Sequence, residues 1–397
     1  MKRYIWKTSI LCMIILFMGC SKNSVKQSQE NNKNEPNEQN EKTTVATPTS
    51  SPVETNQSTN QPSESEKDTK LGVIADYYPV VPNTQYRYQG EGNEYAPFQR
   101  NIDFIDEVNN CIQIRTNNGG TETVQVIQIQ QGELSVLLTK NECYYRDNLI
   151  NQYLRGKSIS STKAEILLME PLKVGTKWVL PDGRKRYISD TQAKVDTPLG
   201  KYQAIEVTTI ENDTENGNAT DRNTEKQEST TKEYYVKKIG LVKRITRIGD
   251  MLVTSTLSER KEKSPWKQTI LFYYPTSDNK IYRKEKIVSF YTNDVTRTIL
   301  EKEMKKEATG KHLPLIAKTT RINSLYLGTD QIVYVDFTKD IVKEMKSKEQ
   351  ESLILQCITN TLGNYYGVKK VYLTIEHQLY QSDYRSTTKG DTLKVTE

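Results

Sequence analysis

The chain of 397 residues carries 56 Lys and Arg against 50 Asp and Glu, a formal net charge of +6, with both signs interspersed along it. Without a basic stripe that carries interleaved aromatics, this balance gives no support to nucleic-acid binding. The only histidines, His312 and His377, argue against a histidine-based zinc site, and no cofactor or metal is expected.

Lys2, Arg3 and Lys7 precede an apolar run at residues 10–18 that is too short for an ordinary transmembrane helix, which is the pattern of a secretory signal. The pair Gly19-Cys20 that follows resembles the bacterial lipobox, in which the signal is cut before a cysteine whose thiol carries a diacylglycerol. That resemblance implies a lipoprotein signal peptide over residues 1–19, lipidation of Cys20 and a membrane-anchored chain on the extracytoplasmic face. Residues 21–70 hold no Phe, Trp or Tyr and are dominated by Gln, Asn, Glu, Lys, Ser, Thr and Pro. Such a segment buries too little apolar surface to offset the entropy of ordering it. As a flexible coil it would span roughly 40 Å, a disordered tether long enough to lift a folded part off a membrane.

The remainder is long enough for two domains, expected at residues 71–262 and 265–397. Its 24 Tyr against 6 Phe suit half-exposed strands. Between residues 74 and 260, short alternating runs such as "CIQIRT" and "ETVQVIQIQ" are separated by "NNGG", "QQGE", "PDGR" and "PLGK", which supply glycine where hairpin turns need a positive φ. These runs predict one antiparallel sheet curled toward an open barrel, interrupted by a helical piece near residues 162–169. The strings "LKVGTKWVL", "VDTPLGKYQAIEV" and "EYYVKKIGLVKRI" resemble the sheet domains of bacterial envelope lipoproteins. Trp178, Tyr187, Tyr202 and Tyr235 could line a concave face or pack in the core. Residues 211–232, with Ala219 as the one apolar residue and Asn-x-Thr triplets at Asn212 and Asn218, read as a long polar hairpin loop. Cys111 and Cys143 fall in strand-like stretches and could pair, while Cys357 reads as a small core residue.

From residue 267 strands alternate with helices: "QTILFYYP", "KIYRKEKIVSFY", a helix capped by Asn293 or Asp294 with Val295, Ile299, Met304 and Ala308 near one face, then a strand-turn-strand in "TRINSLYLGTDQIVYVDFTKD". In "SKEQESLILQCITNTLG", Ser347 and Gln350 have capping-box spacing, Leu353, Ile354, Cys357, Ile358, Thr361 and Leu362 form a stripe, and Gly363 is placed to end the helix. "VKKVYLTIEHQ" is the last core strand, with Val371, Leu373 and Ile375 on one face. The fold class expected is α+β: an antiparallel β-rich middle domain and a small α/β sandwich, after the tether.

The strings "ILFYYP", "EATG", "VYVDFTKDI" and "ESLILQCITNTLGNYYGVKKVYLTIE", in that order over about residues 267–380, are similar to the GerMN domain. The resemblance implies an envelope domain of spore-forming and other Gram-positive bacteria, often lipid-anchored, with a binding or assembly role and no catalytic residues to carry over. Members commonly have an Asp-Gly hairpin where this chain has Glu376-His377-Gln378, so a reshaped turn is expected there.

No nucleophile elbow, zincin helix, or Walker or Rossmann glycine string is present. Asp336 is the most prominent carboxylate, with Asp340 one turn on, and a turn-capping role suits it better than catalysis. Glu349 and Glu351 fit the favourable first turn of a helix. No catalytic residue is therefore expected. The partners implied are the membrane through the lipid anchor and an envelope protein or cell-wall polymer, met by the surface around residues 323–331 and 376–378. The alternative is a hydrolase or accessory enzyme acting on peptidoglycan or spore cortex, which would need two carboxylates converging in a cleft.

Overall fold

The computed structural model describes residues 73–155, 164–211, 229–306, 312–343 and 345–396. The expected signal and tether, with Cys20, lie outside them. Residues 68–397 form one compact unit.

After a single helical turn, α1 (Ile74–Tyr77), the chain runs through β1 (Gln85–Glu91), β2 (Phe98–Asp106), β3 (Cys111–Asn117), β4 (Glu122–Gln130) and β5 (Glu133–Lys140) to a short helix α2 (Leu149–Arg155) and β6 (Glu165–Met169). It continues through β7 (Lys177–Val179), β8 (Lys185–Thr197), β9 (Gly200–Glu211), β10 (Ser229–Val236), β11 (Gly240–Ile248) and β12 (Met251–Lys261). Together they make one 12-stranded sheet in the order β6-β5-β4-β3-β2-β1-β12-β11-β10-β9-β8-β7. Every neighbouring pair is antiparallel, and β1 pairs with β12, joining two meanders.

That order forces the sheet to curl. Twelve flat strands would set β6 and β7 about 53 Å apart at a spacing of about 4.8 Å, yet the eight peptide steps from Met169 to Lys177 reach at most about 29 Å. The two edges do meet: the Trp178 indole N–H donates to the Ile166 carbonyl at 2.9 Å. Ile112, Ile114, Ile127, Leu134 and Leu168 of one half pack in a common core with Trp178, Ile188, Ile205, Val207 and Leu241 of the other. The Gln131-Gly132 turn between β4 and β5 has positive φ at both residues, 54° and 75°, the geometry of a two-residue hairpin that glycine eases.

Several local expectations change. Residues 165–169 are strand β6, because Leu168 reaches the core and the segment pairs with β5; the helix is α2, upstream. Cys143 sits in a loop, with its N–H on the Glu122 carbonyl, whereas Cys111 opens β3 opposite Gln128. Glu122 faces Asn117 at the far end of β3, about 20 Å from Cys111 along the strand, and both thiols are free and buried. The four aromatics share no face: Trp178 and Tyr235 lie in the inner core, Tyr202 packs on a separate cluster around Tyr234 and Val242, and Tyr187 belongs to neither. Residues 212–228, with Asn212 and Asn218, lie outside the described residues between Glu211 and Ser229, which pair directly.

The C-terminal part consists of β13 (Trp266–Pro275), β14 (Ile281–Phe290), α3 (Thr296–Met304), β15 (Ile322–Leu327), β16 (Ile332–Phe337), α4 (Asp340–Lys343), α5 (Lys348–Tyr366), β17 (Lys370–Ile375), β18 (Gln378–Leu379) and β19 (Leu393–Lys394). The β13–β14 ribbon stands apart from a sheet ordered β15-β16-β17-β18, with β19 also on β17. The β16–β17 pair is parallel, and such a pair needs a crossover, which α5 supplies. Ile354, Leu355, Cys357, Ile358 and Leu362 of α5 are buried between β13 and β16–β17. Each fully buried large aliphatic side chain contributes about 1.5–3 kcal/mol of transfer free energy.

The Ser347 hydroxyl accepts the Gln350 N–H at 3.2 Å as its spacing predicts, but the Gln350 amide returns to the Lys346 N–H. The helix runs through Gly363 to a left-handed cap at Gly367. Gly363 is required by packing instead, since a Cβ there would lie 2.2 Å from the Val395 Cγ2. Leu353 is only half-buried, and Leu355 takes its place in the core. On α3 the buried face is Thr296, Leu300 and Met304, and no side chain caps its start. Asn293 and Asp294 are committed elsewhere, accepting the backbone N–H groups of Ile105 and Tyr291 at 2.8 Å each.

Candidate functional site

Strand β3 shows how the site is built. Ile112 and Ile114 point into the barrel, and the alternate positions Cys111, Gln113 and Arg115 point out, yet all five are buried. The outer face of β2–β4 is covered by the C-terminal part: Phe104, Cys111, Val124 and Val126 share one core with Trp266, Phe290, Leu300 and Tyr365.

Polar groups trapped in this layer are paired. The Arg115 guanidinium, 1% exposed, donates to the Asp103 carboxylate at 3.1 Å, to Glu122 at 2.8 Å and to the Cys143 and Tyr145 carbonyls, and lies 4.5 Å from the Trp266 ring centre. Arg146, also 1% exposed, donates to the carbonyls of Asp103 at 2.7 Å, Tyr291 at 3.0 Å and Asp294. Burying such cations is tolerable only with this degree of hydrogen bonding.

Like Asp103, whose Oδ1 is also buried without a hydrogen-bond partner, Asp147 is only half satisfied. Its Oδ1 accepts the Tyr366 hydroxyl at 3.1 Å and its backbone carbonyl accepts the Gln113 amide at 2.9 Å, but its Oδ2 is buried with no hydrogen-bond partner. Burial pushes its carboxyl up to about 7, only partly opposed by the Tyr366 hydroxyl, the charges of Lys140 and Arg146 and the nearby Leu327 backbone N–H. Both cations are already engaged, Lys140 by the Tyr145 hydroxyl and Arg146 by the three carbonyls.

Asp147 lines a groove of about 1280 Å³. One wall is the β2–β3 turn with Asp106 and Asn110, another is the start of α2 with Asn148, Asn151 and Gln152, and the third is the edge strand β15 with Asn323, Ser324, Leu325 and Tyr326. Asn148 caps α2 through its Oδ1, which accepts the Asn151 N–H at 3.0 Å. Asn323 donates its amide to Asp336 at 2.8 Å. The Tyr326 ring, 48% exposed, stacks on Tyr334 with centres 5.2 Å apart. The groove's charges nearly cancel, with Asp106, Glu107 and Asp147 against Arg155 and Arg297, and one N–H of the Arg297 guanidinium donates to the Ile322 carbonyl at 2.8 Å. What it offers is a row of amides able both to donate and to accept.

A second hollow of about 610 Å³ adjoins, lined by Asn323, Glu376 and His377 with Arg297, Glu301 and Arg321. The two stretches expected to form the working surface, residues 323–331 and 376–378, therefore do contribute to hollows, although residues 323–327 are strand. Asp336 is structural: its carboxylate accepts Asn323, the Thr374 hydroxyl at 2.6 Å and the His377 N–H at 2.7 Å. Those bonds hold the Glu376-His377 turn, both residues at positive φ, in a conformation that Asn-Gly would adopt more easily. Asp340 pairs with Lys343 at 2.6 Å on the surface. Glu349 lies in the first turn of α5 as expected, but Glu351 is buried and accepts the hydroxyls of Tyr380 at 2.5 Å and Ser382. Asp147 escaped sequence reading because "YYRDNL" looks like a strand end; the signal was the Asn148 cap ahead of "LINQYL".

Among the described residues, no group of three or more His, Cys, Asp or Glu could hold a metal ion, and no helix is long and apolar enough to cross a membrane.

Residues 271–381 match the family model Germane, described as sporulation and spore germination, so the C-terminal part is a GerMN-like region. No curated protein matches the chain. Among solved structures, the chain is similar to the first GerMN domain of the sporulation protein GerM from Bacillus subtilis, with 19% identity over 32% of this chain and 98% of that one and a TM-score of 0.25. It is similar also to a chain described as a lipoprotein from Parabacteroides distasonis, with 13% identity, 47% and 98% coverage and a TM-score of 0.29. A third, described as a lipoprotein from Clostridium perfringens, shares 16% identity over 33% and 93%, with a TM-score of 0.21.

Proposed function

We propose that this GerMN-like protein is an extracytoplasmic lipoprotein, anchored through Cys20, that binds an envelope protein or cell-wall polymer in a non-catalytic role linked to sporulation or germination. The observation that carries the binding reading is the amide-bearing groove along β15, an open recess walled by a turn, the start of a helix and an edge strand. The commitment of Asp336 to three hydrogen bonds supports it further, since the carboxylate most suggestive of catalysis is held by a turn. The family description supplies the link to sporulation.

One observation favours the hydrolase alternative: a carboxyl pushed up to about 7 beside a groove has the property of a general acid. Incubating the purified chain with peptidoglycan and with spore cortex separates the two. The binding reading expects no soluble sugar or peptide to be released. Reproducible turnover that Asp147→Asn abolishes would replace it with the hydrolase.

A further inference from the structure

We infer that the groove between α2, the β2–β3 turn and β15 is a binding site for a neutral, hydroxyl-rich glycan segment, held by Asp147, Asn151, Gln152, Asn323 and Tyr326. This inference rests on the binding reading and names its ligand class.

The first argument is the unsatisfied oxygen. Asp147 is 9% exposed and lines the groove, and its Oδ2, like Oδ1 of Asp103 deeper in the layer, has no hydrogen-bond partner. A buried acceptor left in this state costs free energy, and a donor that reaches Oδ2, itself closed to solvent, would recover it. Sugar hydroxyls are such donors, and they serve whether the carboxyl is ionised or protonated, because a hydroxyl can also accept. An ammonium ligand would suit the ionised form best, and an anion only the protonated form, whose O–H can donate.

The second argument is the rest of the wall. Asn151 and Gln152 are exposed at the groove, with no side-chain hydrogen bond to another described residue, and Asn323 keeps its Oδ1 as an acceptor after donating to Asp336. Paired donors and acceptors match vicinal hydroxyls, which do both. The fixed charges lining the groove nearly balance, which gives no reason for a charged ligand.

The third argument is Tyr326. One face of its ring is covered by Tyr334 on the inner neighbour β16, at an interplanar angle of 9°. Because β15 is the edge strand, the opposite face looks over the sheet edge, where the residue lines the groove. An aromatic face beside hydrogen-bonding amides is the arrangement on which the C–H face of a pyranose ring rests. The preformed stack with Tyr334 fixes the ring before binding and removes an ordering cost.

The test uses two probes on the purified full chain: a soluble β-1,4-linked N-acetylglucosamine tetramer followed by calorimetry, and protein-free wall sacculi in a sedimentation assay. Wild type is expected to bind the tetramer saturably, and the tetramer is expected to compete with sacculi. Tyr326→Ala and Gln152→Ala should each weaken tetramer binding at least tenfold with an unchanged melting temperature, whereas Tyr372→Ala, on the same sheet but outside the groove, should leave it unchanged. Asp147→Asn, which keeps an acceptor and gains a donor, should bind the tetramer better than Asp147→Ala. Retention on sacculi with no tetramer binding, or equal binding by Tyr326→Ala, would overturn the glycan site and leave the binding reading standing. Capture of an envelope protein that survives Tyr326→Ala, with neither probe bound, would likewise overturn the glycan site alone. Failure to bind either probe or any envelope protein would overturn both.

Discussion

The Tyr366 hydroxyl, in the last turn of α5, donates to the Asp147 carboxylate at 3.1 Å, across the joint between the curled sheet and the C-terminal part. This contact ties the groove to the helix that organises the GerMN-like region, and it leaves half of a buried carboxylate without a partner.

That carboxylate makes stability depend on pH. Burial raises the folded-state value to about 7 from the ordinary carboxylate range, so the folded protein holds a proton that the unfolded chain has lost. The associated stability is complete below about pH 4 and is lost as pH rises to 7 and above. Relative to Asp147→Asn, wild type should lose on the order of 2–4 kcal/mol between pH 4 and pH 8. Urea titrations of both proteins across that range measure the difference, and parallel pH profiles would refute it.

Arg146 is expected to couple the two parts energetically. Arg146→Met removes the donor from three carbonyls under the C-terminal part and should cost about 3–5 kcal/mol. Since Phe104 and Val126 share a core with Trp266 and Phe290, both sheets should unfold in one transition in wild type. Near-UV and far-UV circular dichroism along a urea titration should therefore coincide, and two resolved steps would count against the coupling.

Within α5, position matters more than residue type. Ile358, 0% exposed, should lose about 2–5 kcal/mol on mutation to Ala, whereas Leu353, half-buried, should lose distinctly less. Equal losses in thermal melts would contradict the burial pattern.

Anchoring at Cys20 is tested by metabolic labelling with a clickable palmitate analogue. Wild type should take up label and Cys20→Ala should not; equal labelling would remove the lipoprotein reading.

Much of the architecture is local and therefore legible in the chain. The period of two in "CIQIRT" and "ETVQVIQIQ", the glycine of "QQGE" and the Ser347 cap each act over a few residues, and each appears in the structure where its chemistry places it. The helix end is not legible in this way, because Gly363 and Gly367 look alike in sequence and differ only in what lies beside them: Val395 for one, open space and a left-handed φ for the other.

What alternation determines is which residues share a face, and it is silent about what covers that face. Ile112 and Ile114 identify themselves as core, but Gln113 and Arg115 read as solvent-facing until residues 143–149 and Trp266 cover them. The curl of the sheet likewise depends on the pairing of Gln85 with Lys261, a contact no local pattern encodes. The groove and the unpartnered oxygen of Asp147 belong to this second class. A carboxylate loses its water only when distant segments close around it, so its altered proton affinity and its open hydrogen-bonding position arise from the tertiary structure alone.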